Sequence, residues 1–160
     1  MILVTVGMHY KGFPRLIKKM DQIANNIHEE VIMQIGHTDY TPINCIYFKF
    51  KEYSELQKLT RKARVVVCHA GASILSTLEL NVPVIAVPRL KKFDEVIDDH
   101  QLYFCRKLEK LDIINAVYDV DNLEKILRSM DTTQRIMPSR NNELASFLKK
   151  YLAQNESTAS

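Results

Sequence analysis

The hydrophobic positions of this chain fall into two alternating patterns. Short, continuous apolar runs rich in β-branched residues alternate with stretches in which apolar residues recur every three to four positions. The first pattern predicts strands and the second predicts helices. The predicted strands span residues 2–6, 31–35, 46–50, 65–68, 83–87 and 113–118. The predicted helices span residues 14–27, 53–63, 73–80, 98–108, 121–128 (capped by Asp121) and 141–152.

Strands that alternate with helices predict an α/β fold, in which helices flank a mostly parallel sheet. No repeat or linker interrupts the pattern, so we expect one domain over residues 1–153, followed by a polar, disordered tail at 154–160. In folds of this class the ligand sits outside the carboxyl ends of the strands. The loops to inspect for chemistry are 7–13, 36–44, 69–73 and 88–101.

Composition narrows the function classes. The formal net charge of +3 is too small to indicate nucleic-acid binding. No run approaches the ~18 apolar residues of a membrane span, and the N-terminal run lacks the basic region of a secretory signal. Cys45, Cys68 and Cys105 form no CxxC pair. We therefore expect reduced thiols in a cytoplasmic protein.

The segment 69–73 reads His-Ala-Gly-Ala-Ser and follows a strand predicted to be buried. Small residues let a ligand approach the backbone, and the N–H groups at a helix start can receive a phosphate. Ser73 offers a further hydroxyl donor. A tight strand-to-helix turn capped by serine explains the same residues equally well. The segment is neither a P-loop nor a GxGxxG dinucleotide motif.

Three further places carry candidate chemistry. Glu79 lies six residues after Ser73, where its carboxylate can accept hydrogen bonds from ribose hydroxyls or simply be a surface residue. In the loop 88–101, the basic residues at 89, 91 and 92 suit a diphosphate or an anionic surface, whereas 98–101 (Asp-Asp-His-Gln) suit sugar hydroxyls. An acidic helix start explains the two aspartates but not the histidine and glutamine. The loop 7–12, which contains His9 between two glycines, is either part of the site or an ordinary turn.

Taken together, these stretches resemble the C-terminal, donor-binding half of GT-B glycosyltransferases of family 28. The resemblance rests on HAGASILSTLEL at 69–80, PVIAVPR at 83–89 and E-x-x-DDHQ at 95–101. VTVG at 4–7 with FPRL at 13–16 is similar to short, stand-alone members: the donor-binding subunit of the two-part dolichol-pathway N-acetylglucosamine transferase and its bacterial exopolysaccharide relatives. The resemblance implies a Rossmann-like fold.

The resemblance also implies roles. Residues 71–73 would hold the donor diphosphate, and Glu79 would bind the uridine ribose. Residues 99–101 would contact the transferred sugar or the pyrophosphate, and the loop 7–9 would face the cleft. The resulting donor-binding set is Gly7, His9, His69, Gly71, Ala72, Ser73, Glu79, Arg89, Asp99, His100 and Gln101. Met8 departs from the usual threonine, and the run Ala72-Ser73-Ile74 replaces a more glycine-rich one.

The implied activity is that of a UDP-sugar glycosyltransferase, with UDP-N-acetylglucosamine as the donor. The sequence holds no acidic metal-ligand motif, and we expect neither a metal nor a cofactor. A chain of 160 residues leaves no room for a second domain. We therefore expect a membrane-associated partner subunit, which holds a polyprenyl-linked glycan acceptor and recruits the chain to the cytoplasmic face of the membrane. The general base is expected on that partner, with His9 as an outside candidate.

Two other function classes remain open from the sequence. One is a non-enzymatic, Rossmann-like nucleotide-binding or scaffold module. The other is a fragment of a sugar-nucleotide epimerase, which would also need a second domain. A phospho-receiver domain is disfavoured because no acidic pair follows the first strand.

Overall fold

The computed structural model describes residues 1–130. The predicted helix at 141–152, the predicted tail at 154–160 and most of the stretch 129–140, to which the sequence assigned no role, lie outside the described residues. The strands are β1 (Ile2–Thr5), β2 (Val31–Gln34), β3 (Ile46–Phe48), β4 (Val65–Cys68), β5 (Val84–Ala86) and β6 (Asn115–Ala116). The helices are α1 (Pro14–Asn26), α2 (Tyr53–Lys62), α3 (Ser73–Glu79), α4 (His100–Lys110) and α5 (Leu123–Ser129). Two 3₁₀ turns lie at Lys91–Phe93 and Val120–Asn122.

The six strands form one parallel sheet in the order β3-β2-β1-β4-β5-β6. The order reverses direction at β1, which pairs with β2 on one side and with β4 on the other. In register, Thr5 lies opposite Gln34 and Cys68, so the carboxyl ends of these three strands are level. This level edge at the reversal is where doubly wound α/β folds bind ligands.

The sheet separates two hydrophobic cores. One lies under α1 and α5 and includes Phe13, Leu16 and Met20; the other lies under α2, α3 and α4 and includes Ile74 and Phe104. The strands β1 and β4 are buried along their whole length. This burial explains their continuous apolar sequences, because each face of the sheet packs against a core.

The predicted α/β fold with a parallel sheet is confirmed, with three local differences. The last strand is only Asn115–Ala116 rather than 113–118. Helix α4 begins at His100 rather than at 98, because the carboxylate of Asp98 accepts the N–H of His100 and forms a turn there. Asp121 does not cap α5: it lies in a 3₁₀ turn, and its N–H donates to the Asp119 carboxylate.

Candidate donor site

The loops after β1, β4 and β5 meet at the carboxyl edge of the sheet. We call the segment 69–73 with α3 the serine wall, after Ser73, and the loops 7–13 and 88–95 together the arginine wall, after Arg89. The His69 ring of the serine wall packs against Gly7 of the arginine wall, because a Cβ added to Gly7 would approach the ring to 2.8 Å and a Cβ added to Gly71 would approach it to 2.3 Å. The glycines at 7 and 71 therefore make room for the imidazole.

His69 is held in its neutral form. Burial lowers the pKa of His69 to about 4, and the positive charge of Arg89 acts in the same direction. Its Nδ1 atom is buried and makes no hydrogen bond of normal geometry within residues 1–130. An uncharged imidazole with an unused nitrogen can donate or accept one hydrogen bond without the cost of burying a charge.

Ser73 is the first residue of α3, and it does not cap that helix. The cap position is Ala72, and no side chain caps the helix start. The Ser73 hydroxyl is buried, and no residue from 1 to 130 gives it a hydrogen bond of normal geometry; the neighbouring Cys68 thiol is a weak partner in any case. In the same part of the chain, the backbone N–H groups of Ala72 and Ser73 meet no acceptor. The alternative of a serine-capped turn is therefore wrong, and the donors of this loop have no partners of normal geometry among residues 1–130.

A small cavity continues the serine wall towards α2. Its volume is about 20 Å³, enough for a water molecule. The lining residues are Thr5, Tyr53, Leu56, Gln57, Thr60, Ser73, Ser76, Thr77 and Leu80. The Thr5 hydroxyl is buried, and within residues 1–130 it has no hydrogen-bond partner. Thr5 was not among the predicted site residues; a hydroxyl at the end of an apolar strand was the signal that could have identified it.

Glu79 is the last residue of α3 and is exposed. Glu79 lies six residue steps after Ser73, which corresponds to about 9 Å along the helix axis. The structure therefore places Glu79 and Ser73 on one short helix, at opposite ends.

Arg89 differs from its predicted role. Its side chain is completely buried, and its guanidinium donates to the backbone carbonyls of Val6, at 3.1 Å, and of Gly12. The guanidinium carbon also lies 4.4 Å from the centre of the Phe13 ring. Arg89 thus lies beneath the loop 7–12, and the prediction that it contacts the donor is wrong for this arrangement.

A second, largely buried arginine, Arg15 at the start of α1, ties that helix to the arginine wall and is counted with it from here on. Arg15 donates to both carboxylate oxygens of Glu95, at 2.8 and 2.9 Å, and to the carbonyl of Pro88 at 2.9 Å. Glu95 also accepts the backbone N–H of Leu90 at 2.9 Å. This paired carboxylate fixes the loop after β5 to the start of α1.

The residues at 99–101 do not act as one group. Gln101 accepts the backbone N–H of Arg89 at 3.1 Å, and Asp99 accepts that of Lys91 at 3.0 Å. Asp99 lines a separate cavity of about 230 Å³, together with Leu90, Lys92, Leu102, Arg106 and Tyr118. His100 is exposed, and its Nδ1 lies 2.8 Å from the carboxylate of Asp98. The His100 backbone and side-chain contacts hold the pKa of Asp98 below its usual range. Within residues 1–130, no hydrogen bond joins these residues to the serine wall.

His9 lies in the loop above Arg89. Its Nδ1 accepts the backbone N–H of Lys11 at 3.3 Å, and its ring stacks on Tyr10. Partial burial lowers the pKa of His9, and the charges of Arg89 and Lys11 lower it further. Since Nδ1 is an acceptor, neutral His9 carries its proton on Nε2. Met8, the departure from the usual threonine, is 77% exposed.

Between residues 1 and 130, no three His, Cys, Asp or Glu side chains are grouped closely enough to hold a metal ion. None of the helices in that range has both the length and the apolar character needed to cross a bilayer.

Three solved structures share this fold. A glycosyltransferase of kitacinnamycin aligns with a TM-score of 0.62 and 16% identity, over 94% of this chain and 40% of its own. MurG from Acinetobacter baumannii aligns with a TM-score of 0.60 and 16% identity, over 87% and 45%. The calicheamicin glycosyltransferase CalG4 aligns with a TM-score of 0.63 and 13% identity, over 96% and 43%. This chain therefore spans less than half the length of these relatives.

The sequence comparison identifies the family. No curated protein matches this chain in sequence. The sequence model of the glycosyltransferase family 28 C-terminal domain matches residues 1–155. The predicted likeness to one half of a GT-B glycosyltransferase is thereby confirmed, and the chain belongs to glycosyltransferase family 28 as a domain of the C-terminal type.

Proposed function

We propose that this chain binds the nucleotide-sugar donor of a glycosyltransferase whose acceptor is held by a separate partner subunit. The observation that carries the proposal is the serine wall: at the reversal point of the sheet, a family 28 domain holds a hydroxyl and two N–H groups that have no partner of normal geometry among residues 1–130. Unpaired donors at this edge suit a diphosphate, because each oxygen accepts several hydrogen bonds.

The chemical part of this domain is to stabilise the leaving diphosphate. Negative charge develops on the bridging oxygen as the bond from the sugar to the diphosphate breaks. The Ser73 hydroxyl and the N–H groups of Ala72 and Ser73 are donors fixed in place before that charge appears. Neutral His69 adds one more hydrogen bond at the edge of the same loop.

His9 fits the role of a donor better than that of a base. Its Nδ1 accepts the backbone N–H of Lys11, so its Nε2 bears the proton. The Nε2–H group can therefore donate a hydrogen bond to a diphosphate oxygen. Removing a proton from an acceptor hydroxyl at Nε2 would require the opposite tautomer, which loses the Lys11 contact. We therefore assign the general base to the partner subunit.

The proposed donor is a UDP-sugar, and UDP-N-acetylglucosamine is the first one to test. Glu79, about 9 Å along α3 from Ser73, is proposed to bind the ribose hydroxyls. Calorimetry with UDP and with UDP-N-acetylglucosamine should detect binding that Ser73→Ala and Glu79→Ala each weaken. Glu30→Ala removes an exposed glutamate that precedes β2, at the opposite edge of the sheet, and serves as the matched control. Binding that neither site substitution weakens would rule out this site.

The partner is proposed because the family 28 C-terminal domain resembles the donor-binding half of GT-B glycosyltransferases, whose acceptor must be held by other residues. We propose a membrane-associated subunit that holds a polyprenyl-linked acceptor and brings this chain to the cytoplasmic face of the membrane. The purified chain should then transfer no sugar from UDP-N-acetylglucosamine to a polyprenyl-linked acceptor. Sustained turnover by the chain alone would refute the two-subunit proposal. Donor binding without transfer, even with candidate partner subunits added, would instead indicate a non-enzymatic module.

A further inference from the structure

Arg89 joins the two ends of the loop that covers His69. Its guanidinium donates to Val6, the last residue before the loop 7–12, and to Gly12, its last member. A planar guanidinium presents several N–H donors in a fixed fork, so one side chain can hold two carbonyls at a set separation. One side chain therefore contacts the backbone at both ends of the loop.

Burying the Arg89 guanidinium costs free energy, because the charged group loses its contacts with water. Burial lowers the pKa of Arg89 to about 10, so the group remains charged at neutral pH. The nearby carboxylate of Glu95 opposes this shift, and the Phe13 ring lies against the guanidinium. Buried ion pairs are often replaceable as a whole by apolar residues of similar volume without loss of stability, so a buried charge is weak evidence for stability. We therefore look for a role of the Arg89 guanidinium beyond filling space in the core.

The backbone of Arg89 extends the connection to α4. Its N–H donates to the side-chain oxygen of Gln101, in the first turn of that helix. The loop after β5 is also held to α1 through Glu95 and Arg15. Arg89 is thus the point at which the loops after β1 and β5 and the start of α4 are joined.

We propose that Arg89 is a positioning residue for the donor site: it braces the loop 7–12 so that Gly7 packs against His69 and His9 faces the donor. This role rests on the proposed function, because it concerns the same site. Arg89 itself touches no donor atom. Its charge also helps to keep His69 and His9 neutral, alongside burial and, for His9, the charge of Lys11.

Two substitutions separate the fork from the charge. Arg89→Met fills a similar volume with no donor and no charge, whereas Arg89→Lys keeps a charge but replaces the fork by a point donor. Arg61→Met removes an exposed arginine in the last turn of α2 and is the matched control. For each protein we would measure thermal unfolding, histidine side-chain NMR titrations without ligand, and UDP affinity by calorimetry.

Bracing by the fork makes three results expected together. Arg89→Met should shift the His9 and His69 ring signals, raise the pKa of both, and weaken UDP binding roughly tenfold. Arg89→Lys keeps the charge, so the pKa values of His9 and His69 should rise less than in Arg89→Met, but the ring signals should still shift and UDP binding should still weaken. Arg61→Met should change none of these. If Arg89 were only structural, its substitutions would lower the unfolding temperature. The histidine pKa values and the UDP affinity would then not distinguish Arg89→Met from Arg89→Lys.

Other outcomes would overturn the proposal. Full UDP affinity in Arg89→Lys would show that the charge matters and the fork does not. Unmoved histidine signals in a folded Arg89→Met protein would show that the loop does not depend on Arg89. If Arg89→Met does not fold, the histidine signals and UDP affinity of Arg89→Lys decide the question. If the unsubstituted protein binds no uridine nucleotide, the proposed function fails, and the bracing is judged on the histidine signals of the ligand-free proteins.

Discussion

The two walls of the site use their polar groups in opposite ways. On the arginine wall, Arg89, Arg15 and Glu95 form several bonds to backbone and side-chain partners. A single guanidinium nitrogen of each arginine lacks a partner among residues 1–130. On the serine wall, the Ser73 hydroxyl forms no bond of normal geometry with those residues. Buried polar groups are normally paired, so the unpaired Ser73 hydroxyl beside the arginine wall suggests a ligand site.

The largest expected effect is on the arginine wall. Glu95→Ala removes the carboxylate that pairs with the positive charge of Arg15. The Arg15 and Glu95 side chains are only 15% and 8% exposed, so water can do little to replace that carboxylate. Removing one partner of a buried pair typically costs about 3–5 kcal/mol. Urea unfolding should show a loss of this order in the free energy of unfolding. The double variant Arg15→Leu with Glu95→Leu should lose less than Glu95→Ala, and an equal or greater loss would show that the pair itself is not what matters.

The next largest effect concerns the contact between Gly71 and the His69 ring. Gly71→Ala places a methyl group 2.3 Å from Nε2 of the buried His69 ring, and we expect a cost of about 3 kcal/mol, the upper end for overpacking. This loss should appear in thermal unfolding without any ligand. The double variant Gly71→Ala with His69→Ala should recover part of it. If Gly71→Ala is as stable as the unsubstituted protein and loses only UDP affinity, the glycine serves the ligand and not the histidine.

These two predictions rest on contacts that the sequence did not reveal. The pattern of apolar residues predicted the parallel sheet and the five helices that flank it. A strand that is buried on both faces has a continuous apolar sequence, so it can be recognised from the sequence. Arg89 was assigned to the donor because arginines on loops usually face solvent or ligand. Its burial depends on the Val6 and Gly12 carbonyls, 83 and 77 residues away. Pairings over such separations follow only from the folded arrangement.

The role of the serine wall stays a prediction, and the limits of that prediction have the same cause. The sequence identified the segment 69–73 and left a ligand loop and a capped turn equally open. Only the geometry around Ala72 and Ser73 excluded the serine cap. The neighbouring Thr5 hydroxyl was missed because a threonine within an apolar strand is usually read as part of that strand.

A smaller effect should follow from the neutral state of His69. Its folded pKa, about 4, lies below the ordinary value of 6.5. The unfolded chain therefore binds a proton first, and stability is lost as the pH falls through 6.5 towards 4. We expect His69 to account for about 2 kcal/mol of lost stability between pH 7 and pH 5. Urea unfolding at several pH values should show a shallower decline for His69→Asn, and an unchanged decline would contradict the burial of the ring.

The smallest expected effect concerns the exposed tie between the two loops of the arginine wall. Lys11 donates to the carboxylate and the carbonyl of Asp94, at 2.7 and 2.9 Å, and the Asp94 side chain is 93% exposed. Asp94 has a φ of +55°, which asparagine also tolerates, so Asp94→Asn removes the charge without straining the backbone. Exposed ion pairs contribute little to stability, so the unfolding temperature and the UDP affinity of Asp94→Asn should stay close to those of the unsubstituted protein. A tenfold loss of affinity would instead mean that the loops are held by this exposed pair, and that the buried arginines are not what makes the wall rigid.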